Sequence, residues 1–202
     1  MGQSIHIPQA SLASASQISL LEAVLEIIVE GGVDAVRYRA VAEHAGVSLG
    51  TVSYHYKSRE LLITAALKYY LEENTRELMS LRDKFVSRNL QDVADYLVEV
   101  CKRDFKDKRK RVYAEYELMV FAARDTQVAR DLENFENAMI GELARELDRV
   151  GIPRAFAAAR TLSEMMRGFQ LMGLGSKKHN YEEFGLRIRS VLAGLKQGDG
   201  CE

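Results

Sequence analysis

Proline stands at only two places in this chain, Pro8 and Pro153. Proline fixes φ and removes a backbone donor, so it breaks helices from within. The stretch between the two is therefore free to run as long helices, and its apolar spacing asks for them. In "QISLLEAVLEIIVEGG", beginning at Gln17, Leu21, Val24, Leu25 and Ile28 fall at helical intervals and Gly31-Gly32 stops the pattern. "SRELLITAALKYYLEENTRELMSLRDKFVS" predicts a long helix with Ser58 as its N-cap. Further helices are expected at roughly 89–106, 108–124, 126–150, 153–175 and 180–197. Gly151-Ile152-Pro153 reads as a stop and a restart, with Pro153 at a first helical position. "GSKKHN" (175–180) reads as a loop. No alternating strand pattern of useful length and no internal repeat occur, so the expected fold class is all-α.

Two segments are much shorter. "YRAVAEHAG" and "SLGTVSYHYK" each hold only about two turns, and helices of that length need packing to form. Ala42, Gly46, Val47 and Val52 suggest how they pack. In a helix-turn-helix, a small residue in the first helix lets the second cross closely. A glycine takes the left-handed turn, and apolar groups after it lock the pair against a preceding helix. Ser48 can cap the second helix, which is then free to lie in a DNA major groove. Two short helices in a generic bundle are the alternative reading of the same spacing.

Bulk charge does not announce a nucleic-acid binder. The 202 residues carry 28 Lys and Arg against 29 Asp and Glu, a net charge of −1. Residues 1–60 hold four cations (Arg37, Arg39, Lys57, Arg59) against six carboxylates. DNA binding must therefore rest on where charges sit. Glu22, Glu26 and Glu30 recur every four residues and share a helix face that can point to solvent, away from DNA. No apolar run reaches membrane-spanning length, and the first residues lack a basic start followed by an apolar core, so neither a membrane partner nor a secretory leader is expected. Two cysteines, Cys101 and Cys201, make no disulfide framework, and a cytoplasmic setting is the simplest reading. Cys101, mid-helix, reads as a small buried hydrophobe.

The flanks of the short pair carry a family resemblance. Over roughly residues 17–70 the chain shows a first helix ending in "EGG", then "VDAV", then "RAVAEHAGVSLGTVSYHYKSRELL". This resembles the TetR family of bacterial transcriptional regulators, with a pattern like "IA..AGVS.GTLY.HF..K..L". The resemblance implies a three-helix N-terminal DNA-binding domain joined by the fourth helix to a larger all-α domain that binds effectors and dimerises. The implied division is a tail at 1–16, a helix-turn-helix domain at 17–60, an effector and dimerisation domain at 61–197 and a tail at 198–202. Leu49, Gly50, Thr51, Tyr54 and His55 match recognition-helix positions. Thr51 can meet a base edge or a thymine methyl, Gly50 lets the backbone come close, and Tyr54 and His55 can donate to phosphates or stack. Arg37, Arg39, Lys57 and Arg59 would bracket the groove as phosphate contacts. Tyr56 matches the family's Phe and reads as core. Two departures stand out. Arg37 replaces a common capping Thr, keeping phosphate reach but no capping oxygen, and Ser53 replaces a common Tyr with a shorter hydroxyl.

For the larger domain the resemblance implies a dimer through the last two helices, placing Leu162, Met166, Met172, Phe184, Ile188, Val191, Leu192 and Leu195 at the interface; intramolecular core is the other reading. An effector pocket among the middle helices would draw on Tyr69, Tyr96, Tyr113, Tyr116, Glu117, Met119, Val120, Arg124, Met165 and Phe169, all of which also suit plain core. The run "KRDFKDKRKR" (102–111) reads as a solvated loop or a phosphate patch. The four histidines are scattered, and no HExxH, zinc spacing, GxSxG or phosphate loop occurs, so neither catalytic residues nor a metal or other cofactor is expected. The expected protein is a homodimeric regulator, a repressor, that binds palindromic double-stranded operator DNA and is released by a small-molecule effector. An effector-independent regulator, an activator and an all-α enzyme are the alternatives.

Overall fold

The computed structural model describes residues 14–82, 88–106, 108–124, 126–176 and 178–197. The expected C-terminal tail and residues 1–13 of the expected N-terminal one lie outside them. Among the described residues the chain forms α1 (Ala15–Gly31), α2 (Tyr38–Ala45), α3 (Leu49–His55), α4 (Arg59–Arg82), α5 (Leu90–Lys106), α6 (Arg109–Ala122), α7 (Thr126–Arg149), α8 (Ala155–Gly173) and α9 (Tyr181–Gln197). A single 3-10 turn, Val33–Ala35, joins α1 to α2, and no strand occurs among these residues. The fold is all-α, as the proline-free stretch predicts.

Most boundaries follow from local chemistry. α1 starts two residues before the expected Gln17 because Ser14 and Gln17 form a reciprocal capping box. The Gln17 amide donates to Ser14 Oγ at 3.3 Å and the Ser14 amide to Gln17 Oε1 at 2.9 Å. Residues 14–16 thus belong to the helix and not to a tail. At α4 the Leu61 amide donates to Ser58 Oγ at 3.2 Å, the expected cap. After α7, Gly151 turns left-handed at φ 78 and the Ile152 amide bonds the Leu147 carbonyl at 2.9 Å, with Ile152 buried below. Pro153 does not open the next helix. It sits in the turn, Arg154 follows at φ 48, and α8 begins at Ala155.

The chain divides into two compact units that interleave along the sequence. The first takes residues up to Arg76 and then Lys110–Glu133; the second takes Glu77–Arg109 and Asn134 onward. This division does not follow a linear boundary at residue 60, because α6 and the start of α7 pack with the N-terminal helices. In the first unit Leu20, Val24 and Ile28 of α1 are fully buried, together with Val36, Val41, Val52, Leu62, Ile63 and Leu118. The expected stripe on α1 widens to include Leu20, Ala23 and Ile27, since α1 is packed on several sides. Each such aliphatic side chain contributes about 1.5–3 kcal/mol of burial. In the second unit α5, α8 and α9 pack on one another around Leu97, Cys101, Leu147, Leu162, Ile188 and Leu192. Burial, and then Asp104, push the Cys101 thiol well above its ordinary pKa, which leaves it an inert apolar filler.

Candidate nucleic-acid interface

The turn between α2 and α3 has the geometry its sequence asks for. Gly46 is left-handed at φ 65, ψ 32. The Val47 amide reaches back to the Ala42 carbonyl at 3.0 Å, which closes the end of α2. Ala42 is buried, and Val52 is fully buried on the inner face of α3. Ser48 caps α3, accepting from the Thr51 amide at 3.1 Å, and its hydroxyl lies 2.9 Å from Thr51 Oγ1. Tyr38 of α2 donates to the Tyr56 carbonyl at 2.6 Å and so holds the far end of α3. Burial raises the Tyr56 phenol above its ordinary pKa, consistent with the half-buried, core-directed ring expected of it. A seven-residue helix is thereby fixed at both ends.

The opposite face of α3 is open. Tyr54 is 75% exposed and Leu49 is 49% exposed; Gly50 and Ser53 are exposed, and Thr51 and His55 are half-buried. The Tyr54 ring meets His55 edge-on at 5.1 Å, and the Lys57 ammonium lies 5.9 Å from the Tyr54 centroid. Ser53 Oγ donates to the Leu49 carbonyl at 3.2 Å. A Cβ on Gly50 would meet only Ser48 Oγ, at an ordinary 3.5 Å. The packing around α3 does not need a glycine there. Arg37, Arg39 and Lys57 are exposed at the ends of α2 and α3, and Arg37 makes no side-chain cap to α2.

Arg59 departs from its expected role as a phosphate contact. Its guanidinium donates to the Val36 carbonyl at 2.8 Å and the Val33 carbonyl at 2.5 Å, and lies 3.7 Å from Asp34. It ties α4 to the 3-10 turn. Glu22 also departs from the solvent-facing role. It accepts from Tyr69 at 2.5 Å and from Arg111 through both oxygens at 3.0 Å, linking α1, α4 and α6. Burial, then the bond to Glu22, hold the Tyr69 phenol far above its usual pKa.

The residues expected around one effector pocket fall in both units. Tyr69, Tyr113, Tyr116, Glu117, Met119, Val120 and Arg124 belong to the first unit; Tyr96, Met165 and Phe169 belong to the second. Tyr113 and Val120 are 43% and 62% exposed, so that face of α6 is open. Glu117, Val120 and Arg124 do line one cavity, beside Gly32 and Asp34, but at about 160 Å³ it is small for a drug-sized molecule. Tyr96, Met165 and Phe169 pack on the core of the second unit, and Phe169 stacks on Phe184 at 3.9 Å. Of the expected interface residues, Leu162, Phe184, Ile188 and Leu192 are buried in the chain's own core and offer nothing to a partner. Met166, Val191 and Leu195 are half-buried against that core, and Met172 is 83% exposed. The spacing could not separate the inner from the outer half of one stripe. Phe156, Leu171 and Leu186 are exposed apolar residues of α8 and α9 that the stripe did not include. Within the run, residues 102–106 end α5 and residues 109–111 open α6; Lys108 pairs with Glu77, Arg111 with Glu22 and Arg103 with Asp104.

The fold and this exposed helix define a helix-turn-helix protein with a helical body. Residues 20–66 match the model of bacterial regulatory proteins of the tetR family, and residues 88–197 match that of the Tetracyclin repressor-like C-terminal domain. The chain belongs to the TetR family and is a transcriptional regulator of that family with a DNA-binding helix-turn-helix. Solved structures resemble it along nearly its whole length. A transcriptional regulator from Rhodococcus sp. Rha1 is 21% identical with a TM-score of 0.75, covering 91% of this chain and 97% of its own. The multidrug binding protein EbrR, in complex with ethidium, is 23% identical with a TM-score of 0.66, covering 89% and 98%. A transcriptional regulator from Saccharomonospora viridis, in complex with choline, is 16% identical with a TM-score of 0.73, covering 93% and 98%. No curated protein matches the chain. Among the described residues no helix is long and apolar enough to cross a membrane.

Proposed function

We propose that the protein is a ligand-responsive repressor that binds palindromic operator DNA as a homodimer in the cytoplasm. The observation that carries this is α3: capped by Ser48, held by Val52 and Tyr38, and exposed along the face bearing Gly50, Thr51, Ser53 and Tyr54. That face enters the major groove, with Thr51 and Tyr54 toward base edges and Leu49 toward a thymine methyl. Ser48 and His55 lie at its two ends. Arg37, Arg39 and Lys57 sit on phosphates, which set position and not sequence. Arg59 supports the domain from inside.

Dimerisation presents α3 twice. On α8 and α9, Leu171, Met172 and Leu186 are exposed and Met166, Val191 and Leu195 half-buried, and these are the apolar residues proposed to meet a second copy. DNA accepts recognition helices about one helical turn apart, or a multiple of that. A ligand that binds the wrong spacing more tightly than the right one releases the operator. α4 carries residues of both units, and the helix beginning at Arg59 is the proposed route by which the change reaches α3. Effector binding is supported by the ethidium and choline held by similarly folded proteins. Tyr96, Met165 and Phe169 are the proposed pocket residues of the second unit, and the open face of α6 that bears Tyr113 and Val120, with Arg124 just beyond the helix end, supplies those of the first.

A gel shift with the DNA flanking the protein's own gene tests this. A shift that is competed by the same DNA and not by a scrambled sequence is expected. Equal competition by both removes the reading.

A further inference from the structure

Four cations of the 102–111 run gather around one cavity. In the second unit Lys102, Arg103, Lys106 and Arg109 line a cavity of about 590 Å³, together with Glu99. Arg103 is matched by the buried Asp104, and Lys102 lies 3.5 Å from Glu99. Arg109 donates to the neutral Leu174 carbonyl, and among the described residues no carboxylate pairs with Arg109 or Lys106. Among the described residues, those two cations leave the lining of the cavity net positive.

Its remaining wall is aromatic. His179 stacks flat on Phe105, with centroids 3.8 Å apart and planes at 15°, and Tyr181 lies 5.7 Å from His179. Gly173 makes room for this stack. A Cβ there would clash with Phe105 Cζ and fall 3.0 Å from His179 Cε1. Burial and then Arg109 lower the His179 pKa, and burial first raises that of Tyr181, so the ring wall is uncharged at neutral pH. A positive mouth beside a flat, neutral aromatic wall selects for one ligand chemistry.

We propose that this cavity binds a small aromatic carboxylate, its carboxylate on Lys106 and Arg109 and its ring against His179 and Tyr181. The site is separate from the α3 surface but adjoins the proposed pocket residue Phe169, whose ring lies 5.9, 6.3 and 6.1 Å from those of Phe105, His179 and Tyr181, so the inference rests on the effector reading and names its ligand class. It is tested on the free protein, with no DNA present, so its outcome does not depend on operator binding.

The probe is salicylate, titrated by calorimetry at low ionic strength with His179 ring signals followed by NMR. Salicylamide, neutral and of the same shape, and inorganic phosphate, charged but without a ring, are the controls. Salicylate should bind and shift the His179 signals, and each control should bind about tenfold more weakly. Lys106→Glu, at an exposed position, should weaken salicylate by about tenfold without altering the melting temperature. Salicylamide binding as tightly as salicylate would overturn the role of the cations. Phosphate binding as tightly would overturn that of the rings. Salicylate that fails to bind at millimolar concentration, or that ignores Lys106→Glu, would overturn the site itself.

Discussion

Tyr54 is the most exposed ring on α3, and its surroundings make a clear prediction. It supports no core contact, so Tyr54→Ala should leave the unfolding free energy within about 0.5 kcal/mol of the parent. The same change should weaken specific DNA binding by about 1–3 kcal/mol, read by fluorescence anisotropy on the flanking DNA. Unchanged affinity would remove Tyr54 from the reading face. Arg59 shows the limit of reading charges from sequence. Lys57 and Arg59 are two residues apart, yet one is exposed and the other spends its donors on the Val33 and Val36 carbonyls. Nothing in a linear string marks which cation meets a carbonyl folded back from twenty-odd residues away.

The turn at Gly46 was legible because its cause is local. A left-handed residue is needed between two short helices, and glycine supplies it at least cost. A Cβ at Gly46 meets nothing within 4 Å, so Gly46→Ala costs only backbone strain, about 1 kcal/mol by chemical denaturation. A neutral result would mean that the turn tolerates other conformers. The link through Glu22 was not legible, since Tyr69 and Arg111 come from distant helices. Glu22→Ala deletes the acceptor of both and should cost about 1–3 kcal/mol. Helix lengths and order followed from periodicity, but the inner and outer halves of α8 and α9 did not. Leu162 and Met172 share one stripe in sequence and differ from fully buried to 83% exposed. Which half is covered depends on neighbours that a single helix cannot specify.

For the chain as a whole, a net charge of −1 hides a localised basic edge. Arg37, Arg39 and Lys57 give three exposed cations per protomer, and Arg59 is withdrawn from that set. A dimer placing all of them on phosphates should show log K falling against log salt with a slope of about −5. A flat dependence would mean that these cations do not sit on the backbone. The interleaving of the two units, with α6 packed in the N-terminal one, has no signature in composition or motif, and only long-range contacts reveal it. The central claim is that α3 is presented twice to one duplex. Hydroxyl-radical footprinting of the flanking DNA tests it directly. Two protected patches on one face of the duplex are expected, separated by about 10 base pairs or a multiple of that. A single patch, or protection spread evenly regardless of sequence, would contradict the claim.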